Sequence, residues 1–277
     1  MDWSKAKSWL IVLFAALNVF LIIMLVSAVR HSSTVDKNTI LKTVSVLKEN
    51  GIEVTASQIP DKIPRLNSVE VKNAVSSKEE FALRVLKDGF EKQGANRYVS
   101  KTKTKTLSFE QSKFIYTDSA PSDNGLNITK KTAPSAAVSF LNEIGITTDS
   151  AVYETVLTDS GFCVNFSQKL DKYPLFDSHI EVKLSEKGVL SAEGNWFVPS
   201  YDQDNVKSAA SRVSSAASVA IEFISNEQRI KNGSGKISEI SLGYAAGDEE
   251  EYRALATAVP VWQIKTTDGN VYYFDAH

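Results

Sequence analysis

Cys163 is the one cysteine in the chain, so no disulfide can form within it. That suits a Gram-positive cell exterior, where many exported domains lack disulfides. In GFCVNF the cysteine alternates with polar residues and reads as a small packed hydrophobe, a reactive thiol being the alternative. Histidine is nearly as scarce: His31, His179 and His277 are all there are. None has a second histidine or a cysteine at metal-ligand spacing, and His179, near a strand start, reads as a satisfied strand residue. The nucleophile elbow, the zinc-protease helix, the Ser-x-x-Lys pair and the phosphate-cradling glycine loop are all missing. Asn232-Gly233-Ser234-Gly235 is too short for such a loop and reads as a turn. The acidic run Asp248–Glu251 lacks the alternating acceptors and turn glycine of a calcium loop, and reads as solvated. Glu181 and Glu193 form the one acid pair considered for a glycan, but their separation is not set by sequence. Asn127, Asn165 and Asn232 head N-x-S/T triplets, which matter only in a glycosylating host. No catalytic, cofactor-binding or metal-binding residue is expected, and no enzyme. A formal net charge of -2 indicates neither a nucleic-acid surface nor a binder of acidic substrates.

What the sequence does have is Trp9–Val29, WLIVLFAALNVFLIIMLVSAV, without charge, proline or glycine. As a helix it spans roughly 31 Å, the thickness of a bilayer's hydrocarbon core. A single transmembrane helix is therefore expected over residues 9–29, with residues 1–8 cytoplasmic and the remainder exported across the cell membrane. Lys5 and Lys7 are matched by Arg30 and Lys37, so the orientation rests on the very short N-terminal tail. The apolar run is longer than a signal peptide's core, which favours an uncleaved anchor over cleavage near Ala28. Asn18 stands near mid-span, where an amide gains from a partner on another helix, and the neighbouring Ala15 and Ala16 permit close backbone approach.

After a stalk over residues 30–38, the helical spacing of Ile40, Leu41, Val44 and Leu47 predicts a helix over Thr39–Asn50, stopped by Gly51. A short strand at Ile52–Val54 follows, then a strand near Val69, a helix opened by the Ser77/Glu80 capping pattern, and a hairpin within 97–116. Residues 39–131 are read as an N-terminal α+β lobe. Helix then antiparallel strands occurs twice more. Pro134–Ile144 precedes strands at 151–157, 162–168, 180–184 and 189–196; Ser208–Ser225 precedes strands at 237–244, 256–266 and 271–274. These are read as two repeats, 132–200 and 201–277. Asp268-Gly269-Asn270 is a hairpin turn, with Glu186-Lys187-Gly188 at the matching place. The fold class is α+β, helices on antiparallel sheets. Lys101, Lys103 and Lys105 alternate with threonines, which on a strand puts three lysines on one face. That face is either a solvated edge or a site for an anionic polymer such as teichoic acid.

The opening MDWSKAKSWLIVLFAALNVFLI resembles the N-terminus of the YycI (WalI) proteins of Gram-positive bacteria, in its D-W-S-K-A-K run and its span containing L-N-x-F. Tyr173-Pro174-Leu175-Phe176 and the ending PVWQIKTTDGNVYYFDA, Pro260–Ala276, extend the resemblance to the centre and the C-terminus. The resemblance implies a membrane-anchored, non-enzymatic accessory protein of the cell-wall two-component system. Its partners would be the sensor histidine kinase WalK (YycG), the related YycH protein and the bilayer, and Asn18 would lie in the kinase-contacting element. The helix-plus-strands units are also similar to PepSY-like modules, which implies binding or inhibition. The rival reading is a membrane-tethered envelope ligand-binding module, or an inhibitor of a protease or hydrolase.

Overall fold

Asp36 opens the helix that follows the expected stalk in the computed structural model, which describes residues 33–121, 127–149, 151–200, 211–247 and 255–277, together with 13–22 and positions 7, 9, 11 and 24. Its carboxylate accepts the Asn38 N–H at 3.0 Å, satisfying a helix-end donor that would otherwise be orphaned. The helix runs Lys37–Glu49 and buries Ile40, Thr43 and Leu47.

The chain divides into two compact units, each built from separated stretches of sequence. The first comprises Met1–Leu66, Ala210–Ser241 and Trp262–His277. Here Lys37–Glu49 packs on helix Ala216–Glu222, whose alanines 216, 217 and 220 permit close approach. Residues 201–210 lie outside the described residues, and the helix expected from Ser208 begins at Ala216. Ser215 caps it, its hydroxyl accepting the Ser218 N–H at 3.1 Å. A further helix, Glu227–Asn232, is capped by Asn226 and ended by Gly233 in the left-handed region. The expected strand at 52–54 is a single parallel bridge between Glu53 and Lys236. Strand Val271–Asp275 pairs with Leu255–Thr266 across the expected turn.

That turn is locked by side chains. Asp268 accepts from the Thr266 hydroxyl, from Ser234 Oγ at 2.7 Å and from the Asn270 N–H at 3.3 Å. Ser234 is buried and also meets the Tyr272 hydroxyl at 2.6 Å. The Thr266 and Ser234 hydrogen bonds hold the Asp268 carboxyl down at about 2, against an ordinary 3.8. A carboxylate depressed in the folded state adds stability above its unfolded pKa, and that stability is lost as pH falls toward the folded value. Acid titration of unfolding should therefore show the native chain losing stability between pH 3.8 and about 2. Asp268→Asn should lose less over the same window; parallel curves would contradict the assignment.

The second unit comprises Asn67–Ala209 and Leu242–Val261. Within it, helix then four-stranded antiparallel meander occurs twice. Helix Lys78–Val85 leads into strands Phe90–Gln93, Arg97–Ser100, Lys105–Glu110 and Lys113–Asp118. Helix Ala133–Glu143 leads into strands Ala151–Thr158, Gly161–Leu170, Tyr173–Leu184 and Val189–Asn195. The last strand of each meander pairs with the other, Ala192 opposite Tyr116 and Gly194 opposite Phe114, so the meanders form one continuous antiparallel sheet. Both helices cover the same face, over a core holding Phe81, Phe114, Leu141, Phe166, Val182 and Trp196. Each such side chain contributes about 1.5–3 kcal/mol by leaving water.

Gln168 adds a polar lock to this unit. Fully buried, it accepts the Phe197 N–H at 3.2 Å and donates to the Phe197 carbonyl, standing in for a neighbouring strand's backbone. Ser178 donates to the same amide oxygen at 2.6 Å.

Candidate functional site

The residues singled out for chemistry fall on the sheet face of the second unit that the helices leave uncovered. Glu181 and Glu193 are direct register partners on adjacent strands, and Glu181 is ion-paired to Lys183 at 2.7 Å. The Lys183 hydrogen bond draws the Glu181 carboxyl below its ordinary value. Cys163 is buried beside them, and desolvation pushes its thiol up to about 11, away from thiolate reactivity. The pKa of His179 is lowered, chiefly because desolvation disfavours the imidazolium, with the Lys113 charge acting in the same direction. Among the described residues no group of three or more His, Cys, Asp or Glu could hold a metal ion. The acidic run Asp248–Glu251 lies outside the described residues.

Lys101, Lys103 and Lys105 do not share a strand face. Residues 101–104 form a turn, with Lys103 in the left-handed region at φ 61°. Ser100 Oγ accepts the Lys105 N–H at 3.0 Å, and the Thr102 and Thr104 hydroxyls bond each other at 3.0 Å. These local side-chain bonds compete with a strand ladder, and here they win. Lys101 lies against Gly89, whereas Lys105 lines a cavity of about 580 Å³ within the second unit.

That cavity lies between the two helices and the strands beneath them. Arg84 and Lys87 come from the first helix and its end, Phe140 and Glu143 from the second, Tyr116 and Asp118 from the joining strand, and Lys187 from the turn after Leu184. Lys87 is bound to Glu143. Asp118 is buried, accepting the Ala120 N–H at 3.0 Å and the Tyr116 hydroxyl at 3.4 Å. Burial is the main reason the Tyr116 phenol is shifted upward, so it stays protonated as a donor. Sequence reasoning reached only Lys105 of this set. The rest are scattered over a hundred positions, and no local pattern joins them.

At the N-terminus, residues 13–22 are helical, and their large apolar side chains are exposed, Leu13 and Phe14 by about two thirds. Among the described residues no helix is long and apolar enough to cross a membrane. Residues 1–6, 8, 10, 12, 23 and 25–32, and with them the C-terminal end of the expected span, lie outside the described residues. Asn18 Nδ2 donates to the Phe14 carbonyl at 2.8 Å, one turn back. At 100° per residue Asn18 shares a face with Ile11, Ala15 and Ile22, while Ala16 falls on the opposite side with Leu13 and Phe20. Ala15, not Ala16, is the small neighbour on the amide's face.

Two of the stretches that carry the resemblance do architectural work. Leu175 of Tyr173-Pro174-Leu175-Phe176 pairs in parallel with Tyr244. Gly243 is needed there, because a Cβ would lie 2.5 Å from both the Phe176 ring and the Pro174 carbonyl. Asp177 Oδ2 accepts the Ala246 N–H at 2.6 Å. In the C-terminal stretch the Trp262 indole donates to the Ser214 carbonyl at 3.0 Å, and the Ser214 N–H to the Ala276 carbonyl at 2.6 Å.

No curated protein matches the chain. A solved structure, that of an uncharacterized protein from Eubacterium rectale ATCC 33656, is similar with a TM-score of 0.47 and 11% identity, over 79% of this chain and 86% of that one. The family profile described as YycI protein matches residues 30–277, including both the central and the C-terminal stretch. The chain belongs to the YycI family.

Proposed function

We propose that the chain is a non-enzymatic, single-pass membrane regulator of the cell-wall sensor kinase WalK (YycG), acting together with YycH. Its short N-terminal tail lies in the cytoplasm and its two units lie outside the membrane. The observation that carries this reading is the family match over residues 30–277, joined to an uncharged and largely apolar stretch before it.

The working element is the helix bearing Asn18. The bond to Phe14 uses one of the amide's two hydrogens; the second hydrogen and Oδ1 are what a partner helix engages. An interhelical amide contact adds about 0.6–2 kcal/mol. A regulator biases a two-state kinase only by the difference between its contacts in the two states, and about 1–3 kcal/mol gives roughly a 5- to 150-fold bias. The exported units bind YycH and set how the helix sits against the kinase's helices.

Exchanging residues 1–29 for an unrelated single span of the same orientation tests this directly. Kinase output should fall out of regulation although the exported units remain at the membrane, and Asn18→Leu should weaken regulation in the same direction. Normal output from the exchanged chain, or from residues 30–277 alone, would refute helix packing and favour the tethered binding module.

A further inference from the structure

We propose that the cavity of the second unit binds an amphipathic organic anion, an apolar body carrying a phosphate or carboxylate head. At about 580 Å³ it falls in the size range of small-molecule sites. Its floor is aromatic and aliphatic: the Tyr116 and Phe140 rings lie 5.3 Å apart, and Phe140, Ala136 and Val189 are only partly buried, leaving apolar surface open to the cavity. Its rim is cationic, with Arg84, Lys105 and Lys187 converging from a helix, a strand and a turn.

The lining keeps a cationic excess, Arg84, Lys87, Lys105 and Lys187 against the two acids Asp118 and Glu143. Glu143 is taken by Lys87, and Asp118, the register partner of Lys105, accepts from Tyr116 and the Ala120 backbone. Among the described residues no carboxylate forms an ion pair with Arg84, Lys105 or Lys187. The Arg84 guanidinium is held at 5.6 Å from the Phe81 ring centre and over Gly145, where a Cβ would come 2.1 Å from Nη1. Low-dielectric walls under a positive rim focus the field on an anion, while an inorganic anion would leave the apolar floor uncovered. A ligand here is compatible with either a kinase regulator or a tethered binding module, so its absence would leave the helix contact untouched.

The test uses the full chain in phosphatidylcholine nanodiscs, titrated calorimetrically with hexyl phosphate against empty nanodiscs. Saturable one-site binding is expected, roughly tenfold or more weaker for hexanol, for inorganic phosphate and for the double variant Lys105→Glu/Lys187→Glu. The Lys105→Arg/Lys187→Arg pair should bind within about threefold of the native chain, which separates charge from folding. Lack of saturable binding, equal binding by the charge-reversed chain, or hexanol binding as tightly as hexyl phosphate would overturn the assignment. Repeating the titration with phosphatidylglycerol in the nanodiscs identifies the source. A weakened apparent affinity assigns a lipid headgroup and an unchanged one a soluble anion, each supporting the site.

Discussion

Gly194→Ala is expected to destabilise the second unit by about 3–5 kcal/mol, a large share of the roughly 5–15 kcal/mol that holds a domain folded. Gly194 lies on the strand that joins the two meanders, opposite Phe114 on one side and Ile180 on the other. Its φ of 144° is one that L side chains rarely adopt. A Cβ would lie 2.0 Å from the His179 carbonyl oxygen and 2.8 Å from the Ile180 Cα. Both are backbone atoms of a central strand, so no rotamer change relieves the clash, and the ladder on that side must open. Gly269→Ala is the matched control: φ is 86°, but nothing lies within 4 Å of the added methyl. It should cost only about 1–2 kcal/mol, the left-handed penalty alone. Urea unfolding of the two variants measures the contrast, and equal midpoints would contradict the close approach.

Phe81→Ala should cost a similar amount, about 3–5 kcal/mol, by the different route of an unfilled cavity. Phe81 is fully buried on helix Lys78–Val85, its ring 5.2 Å from Phe114 and 6.3 Å from Phe109. It packs that helix against the first meander, and it is the platform under the Arg84 guanidinium. For a unit of this size the loss corresponds to a fall of roughly 6–20 °C in melting temperature. Phe81→Leu, which keeps most of the volume, should lose about 1–2 kcal/mol. A Phe81→Ala chain melting within a few degrees of the native one would mean that the helix is not anchored through this ring.

The local elements were legible because their causes are local. The spacing of Ile40, Val44 and Leu47 and the Ser77/Glu80 pattern announce helices, Asp268-Gly269-Asn270 announces a hairpin, and alternating apolar residues mark strands from Ala151 to Asn195. The Lys101–Thr106 alternation was misleading for a physical reason. Serine and threonine hydroxyls at 100, 102 and 104 supply the bonds of a turn, and period two is then only coincidence. The pairing of Ala192 with Tyr116 joins strands more than seventy residues apart, and nothing in either segment names its partner. The same holds for the cavity, whose Arg84, Tyr116, Phe140 and Lys187 meet only after that pairing forms. Tyr173–Phe176 and Pro260–Ala276 were recognisable as family stretches before their role was; the structure shows them as a parallel strand lock and a capped terminal hairpin.

In-membrane photo-crosslinking from single positions of the N-terminal helix is the most direct test of the proposed regulation. Probes at Ile11, Ala15, Asn18 and Ile22 should capture the sensor kinase or the sister single-span protein, and probes at Leu13, Ala16 and Phe20 should capture lipid. Lipid adducts from every position, or protein crosslinks without preference for the Asn18 face, would contradict the account and reduce the helix to a tether.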